Sequence, residues 1–138
     1  MADSSLSLIE FFIRVFLGIL FAFQGYDKLF RVKINGVVSA FRSEVAIYHI
    51  PSWLLTILAI YTSVVELFGG VLLIVGLFTQ LSLLALSLDL LLVTFAFSLI
   101  EPMWNTKHVY PRVILISILW ALQTKHPVYN LDTLFFVQ

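Results

Sequence analysis

The chain has no cysteine. That removes disulfides, thiolate nucleophiles, Cys-ligated zinc and iron–sulfur clusters, so any redox role needs a bound cofactor or one held by a partner. Charge is scarce as well: 12% of residues are charged, and acids balance bases at a formal net charge of +0. No basic face is available to attract nucleic acid, and none is expected as a partner. The histidines His49, His108 and His126 all fall outside the apolar runs. Bis-His haem ligation inside a helical bundle is therefore not expected, and neither is a metal site or a covalently bound cofactor. No HExxH, P-loop, GxSxG or GxGxxG pattern occurs, so there is no self-contained set for hydrolysis or phosphoryl transfer.

What is present is apolar. Hydrophobic residues make up 61% of the chain, and mean hydropathy is +1.04. A soluble domain is typically about 45–50% apolar and roughly 25% charged. The composition reads as a polytopic integral membrane protein in contact with the lipid bilayer, with one domain over 1–138. A membrane helix needs about 20 mostly apolar residues. Four runs supply spans at about 6–30, 53–77, 79–100 and 109–122. The expected fold is all-α, a four-helix bundle. MADSSLSLIEFF has no Lys or Arg before its apolar run and no cleavage-type site after it. It does not read as a secretory signal, and the first helix is expected to stay.

Local signals add detail. Ser7 and Glu10 have capping-box spacing at the first helix start. The second and third spans turn at Phe78, Thr79 and Gln80, so these form a tight antiparallel hairpin. The fourth span is short, letting Lys107, Arg112 and Lys125 reach the interfaces. Pro111 falls in its first turn, where a missing N–H does no harm. Between the first two spans, Phe41, Val45 and Tyr48 recur at helical spacing, with Arg42, Ser43 and Glu44 on other faces. That stretch is either a short interfacial amphipathic helix or an ordinary structured loop. The tail HPVYNLDTLFFVQ is too short to span. Lys28, Arg31, Lys33 and Arg42 crowd the first connection, which places it in the cytoplasm and both termini outside.

Ionisable residues at membrane depth are costly and are functional candidates by default. Counting back from the hairpin turn, and in from the first helix start, puts Arg14, Glu66 and Asp89 roughly 12–18 Å below one face. They are expected to form a buried cluster. It is either an ion pair that fixes helix register, with the spare acid bonded to Ser63, Ser87 or Thr94, or a ligand or proton-relay site; or Asp89 faces a partner subunit. Glu10 reads as a cap. A second group gathers at the far end of the first helix. Gln24 and Lys28 share a face and are expected to meet Glu101 and Arg112 at the bundle mouth. Tyr26 and Trp53 lie at the same level, as an interfacial belt or as the lining of a ligand entrance. Gly18 and Ala22 on the first helix, and Gly69, Gly70 and Gly76 on the second, mark packing faces. Gly25 allows close backbone approach or a local opening of the helix.

RVFLGILFAFQGYDKL, from Arg14 to Leu29, resembles the first-helix motif of the DoxX family: an Arg, a Gly one turn on, then a Gly followed by Lys-Leu. ELFGGVLLIVGLFTQL, from Glu66 to Leu81, resembles its second motif, and VYNLD is similar to a Ser-Leu-Asp ending common in the family. The resemblance carries over Arg14, Gly18, Gly25, Lys28, Glu66, Gly69, Gly70 and Gly76. Two departures stand out: Gln80 replaces an Arg that many relatives have, and KHPVYN replaces a Gly-rich stretch before the final Asp. The resemblance implies a small four-helix protein of the bacterial inner (cytoplasmic) membrane. It also implies work beside other membrane subunits, either in quinone-linked oxidation of sulfur compounds or respiration, or as an accessory or assembly factor.

The leading expectation is an integral subunit of a respiratory or redox membrane complex that handles a quinone. Arg14 or Lys28 would donate to a carbonyl oxygen, and Glu66 or Asp89 would relay a proton. The alternative is a non-catalytic accessory or assembly subunit. A small-solute transporter has less support, because no internal repeat and few broken helices are seen.

Overall fold

The computed structural model describes residues 2–44, 50–100 and 109–123. The first helix, α1 (Ala2–Tyr26), is followed directly by a π-helical turn, Asp27–Arg31. Helix α2 is Lys33–Glu44, α3 is Ser52–Val75, α4 is Thr79–Ile100 and α5 is Tyr110–Gln123. Among the described residues there are no strands. Three stretches are long and apolar enough to cross a membrane: Ser5–Arg31, Ser52–Val75 and Thr79–Ala96. The chain is an integral membrane protein. Its outer surface fits that solvent, since Phe12, Phe16, Phe68, Leu91 and Phe95 are all exposed.

The α3–α4 hairpin is set by one glycine. Gly76 takes a left-handed φ of 76°, and its N–H donates to Leu72 and Leu73 while Leu77 N–H donates to Leu72. This is a Schellman cap, which a side chain would strain. Helix α3 therefore ends two residues earlier than its apolar run, and Gly76, Leu77 and Phe78 make the connection. Gly76 is a cap rather than part of a packing face.

Helices α1 and α3 pack antiparallel at very close range. A Cβ on Gly18 would lie 2.8 Å from the Gly70 carbonyl oxygen, and one on Gly25 would lie 2.7 Å from that of Ser63. Gly70 in turn lies against the Ala22 backbone. Gly69 faces away from this seam, toward Leu86 of α4. Helix α5 packs on α1 and α4, and α2 lies against α3. Leu17, Phe21, Leu73, Leu83, Leu86, Leu90, Ile116 and Leu119 fill the space between.

One expectation changes, and two open ones take definite form. Helix α1 begins by Ala2, so Ser7 and Glu10 sit well inside it and cannot cap it. Both are buried. The first connection is a true helix, α2, up to Glu44; Val45 and Tyr48 lie outside the described residues. The chain opens at the end of α1 as a π turn, in which Val32 N–H donates to Asp27 O at 2.8 Å. Lys33 follows with φ 62°, and this left-handed residue turns the chain into α2.

Candidate functional site

The glycine seam fixes the levels of the buried charges of α1 against those of α3. Gly18 meets Gly70 and Ile74, and Gly25 meets Ser63 and Leu67. By that register Glu66 is level with Gln24, and Arg14 is level with the Gly76 turn. Ten residues of helix separate Arg14 from Gln24, roughly 15 Å. Glu66 and Asp89 do share a level, since Gly69 and Leu86 face each other three residues from each. Arg14 does not join them. The depth count assumed that α1 begins level with the turn, whereas α1 overhangs it by about three helical turns.

Arg14 belongs to a second polar group at the turn end. Its guanidinium occupies the space that a Gly76 side chain would fill, and its Nε lies 3.9 Å from Glu10 Oε1. Gln123 Nε2, from α5, donates to the same Glu10 oxygen at 2.9 Å. Arg14, Glu10 and Gln123 are all buried, with Thr79 and Ser82 nearby in sequence to that turn. One charge pair thus ties α1, the hairpin turn and α5 together. The sequence offered no signal for Gln123, because α5 had no fixed register.

The other charges gather near the π turn. Lys28 Nζ lies 2.7 Å from Glu66 Oε2, and the Glu66 side chain is 2% exposed against 19% for Lys28. Arg112, from α5, interacts electrostatically with both Glu66 and Asp89 and sits 5.9 Å above the Phe21 ring. Asp89 also feels Lys28. The group is Lys28, Glu66, Asp89 and Arg112, two cations with two acids. The expected mouth residues Lys28 and Arg112 thus complete the site expected around Glu66 and Asp89. Glu101 lies outside the described residues, as do Lys107, Lys125 and all three histidines.

Asp89 stands apart within this group. It is fully buried, and neither carboxylate oxygen has a hydrogen-bond partner among the described residues. The hydroxyls that might serve it are engaged elsewhere. Ser63 donates to Ala59 O at 2.6 Å, Ser87 to Leu83 O at 2.7 Å and Thr94 to Leu90 O at 2.6 Å. Ser87 also accepts from Trp120 Nε1 at 3.0 Å. A buried carboxyl without donors is the kind of group that folding alone does not favour.

Beside the charges lies a cavity of about 380 Å³. Its walls are apolar side chains of α2, α3 and α4, among them Val37, Phe41, Leu58, Val93 and Ala96. Its polar lining is Gln24, Lys28 and Thr62. Tyr26 and Trp53 do not line it; both are exposed on the outer surface. Sequence reasoning missed this cavity, because it exists only once α2 is laid across α3. No group of three or more metal-ligating side chains occurs among the described residues.

The DoxX family model matches residues 9–99, from α1 through most of α4. The chain belongs to the DoxX family. The matched region carries both glycine faces, Lys28, Glu66 and Asp89; Arg112 and Gln123 of this DoxX-family chain lie beyond it. No curated protein and no solved structure matches.

Proposed function

We propose that this chain is an integral subunit of a redox membrane complex and that its cavity holds a quinone. The observation that carries the reading is the pairing of an apolar cavity with a charged end: Lys28 lines the cavity and is bonded to buried Glu66. Ligand sites are mostly apolar concavities with a few converging polar groups. An isoprenoid tail suits the aliphatic and aromatic walls, and Lys28 Nζ supplies a donor for a ring oxygen. A quinone, when bound, supplies two-electron, two-proton chemistry. Lys28 orients the head, the apolar walls exclude water, and Asp89 is the acid with free oxygens to take or return a proton. Electrons come from a partner subunit's cofactor. In this reading α5 is the fourth span of a four-helix bundle in the bacterial inner membrane, with α2 on the cytoplasmic side and both termini outside.

The test is a pull-down of the tagged protein in gentle detergent, with mass spectrometry, an optical spectrum and quinone extraction. Recovery with flavin- or haem-bearing subunits and about one quinone per chain is expected. Ala96→Trp, which fills the cavity, should keep the partners and lose the quinone. A lone, colourless and quinone-free protein would sink the reading.

A second reading has its own support. The Lys28–Glu66 contact joins the π turn at the end of α1 to α3, which is what an accessory or assembly subunit would need to hold register. It predicts that Glu66→Gln lowers complex assembly while leaving turnover per assembled complex unchanged.

A further inference from the structure

Gln24 is the polar residue of the cavity that the helix contacts leave unexplained. It sits in the last turn of α1, four residues before Lys28 of the π turn, and both line the cavity. Its amide oxygen is enclosed and has no donor on it among the described residues. The neighbouring polar groups do not remedy this. Thr62 gives its hydroxyl proton to Ala59 O at 3.3 Å, and Ser63, whose backbone meets Gly25, gives its own to the same carbonyl at 2.6 Å. Lys28 Nζ is turned to Glu66. An enclosed acceptor without a donor costs on the order of 1–3 kcal/mol unless something supplies the proton. The last torsion of a Gln side chain is broad, so its oxygen can turn toward the cavity without a rotamer change.

We infer that the ligand brings the missing donor, and that Gln24 makes the site select the reduced, hydroxyl-bearing form of the ring over the oxidised form. A quinone offers only acceptors. It satisfies Lys28 and leaves the Gln24 oxygen as it was. A quinol offers two O–H groups, so one donates to Gln24 while an oxygen accepts from Lys28. A site built to hydrogen-bond a hydroxyl discriminates strongly against the analogue that lacks it, because its own polar group is otherwise stranded. One such bond of about 1.4 kcal/mol corresponds to about tenfold in affinity. The inference rests on the quinone-site reading, and the two fail in different ways.

The experiment measures binding of decylubiquinol, decylubiquinone and the di-O-methylated quinol to the purified protein in lipid nanodiscs, under anaerobic conditions. The wild type is expected to bind the quinol about tenfold more tightly than either of the other two. Gln24→Leu should bind quinol and quinone alike, with quinone affinity near that of the wild type. Gln24→Glu, which keeps an acceptor in place, should retain the quinol preference. Equal wild-type affinities would overturn the selection and leave the quinone site standing. A preference for the quinone would also overturn it, by placing the amide N–H₂ toward the ring. Absence of binding by all three probes would overturn both readings together.

Discussion

The Lys28–Glu66 pair can be tested by removing each side in turn, because the two ends are not equally sealed. The Glu66 side chain is 2% exposed and that of Lys28 is 19%. Lys28→Met strands a sealed carboxylate. Breaking a buried pair in this way costs about 3–5 kcal/mol, and the remaining attraction of Arg112 argues for the lower end, about 3 kcal/mol. Glu66→Gln strands an amine instead, and a long lysine stem can carry its head toward water. About 1–2 kcal/mol is expected there, the scale of a lost hydrogen bond. The double variant removes both charges, so it should cost less than the two single changes added together. Reversible unfolding in mixed micelles, followed by tryptophan fluorescence, reads all three variants. Additive single costs, within about 0.5 kcal/mol, would show that the two groups do not interact and would refute the geometry.

Other outcomes follow from the same structure. Gly25→Ala forces backbone against backbone at Ser63 and Leu67 and should cost about 3 kcal/mol, whereas Gly36→Ala meets only the Val32 side chain in α2 and should gain up to about 1 kcal/mol; thermal melts compare them. Gln123→Leu takes the donor from Glu10 Oε1 and should cost about 1–3 kcal/mol in the same melts. Asp89→Asn should leave the melting temperature unchanged or raised, because no donor holds the carboxylate, while quinone-linked turnover of the complex is lost. A destabilised Asn variant with normal turnover would reverse that assignment.

Much of the framework was legible because it depends on short-range patterns. The α3–α4 hairpin rests on Gly76 and the two residues after it, so the shared level of Glu66 and Asp89 could be counted from the turn. The small faces at Gly18, Ala22, Gly69 and Gly70 mark where backbones approach. Arg14 was misplaced for a reason the sequence does not carry: nothing in α1 marks how far it overhangs the turn. Helix propensity simply continues from Phe12 back to Ala2, and only contact with α3 sets the register. By its place in the sequence Lys28 reads as a mouth residue, since a lysine near a helix end ordinarily reaches for water. Here the chain opens into a π turn from Asp27, and the Lys28 side chain reaches inward to Glu66 instead.

That register sorts the buried charges into two groups, each balanced. Glu10 and Arg14 close the turn end, and Lys28 and Arg112 balance Glu66 and Asp89 at the other. Between them the core is leucine, phenylalanine and isoleucine, where an unpaired charge would be expensive. A slip of α1 along α3 by one turn would carry Lys28 away from Glu66 and push Arg14 off the space beside Gly76. It would also drive Gly18, Ala22 and Gly25 out of register with Gly70. The glycine seam, the Lys28–Glu66 pair and the fit of Arg14 beside Gly76 therefore enforce one alignment from three places. The turn-end group serves that task through Arg14 beside Gly76 and the Gln123–Glu10 bond, and there too Glu10 Oε2 and Ser82 Oγ have no hydrogen-bond partner among the described residues. The group near the π turn is set apart by the apolar cavity at its side, lined by Gln24, whose amide oxygen has no donor among the described residues. On the proposed reading, a ligand that brings a hydroxyl donor and an apolar tail accounts for the cavity and the Gln24 oxygen; Asp89 is not in the cavity lining and lies one helical turn from Val93 in its wall.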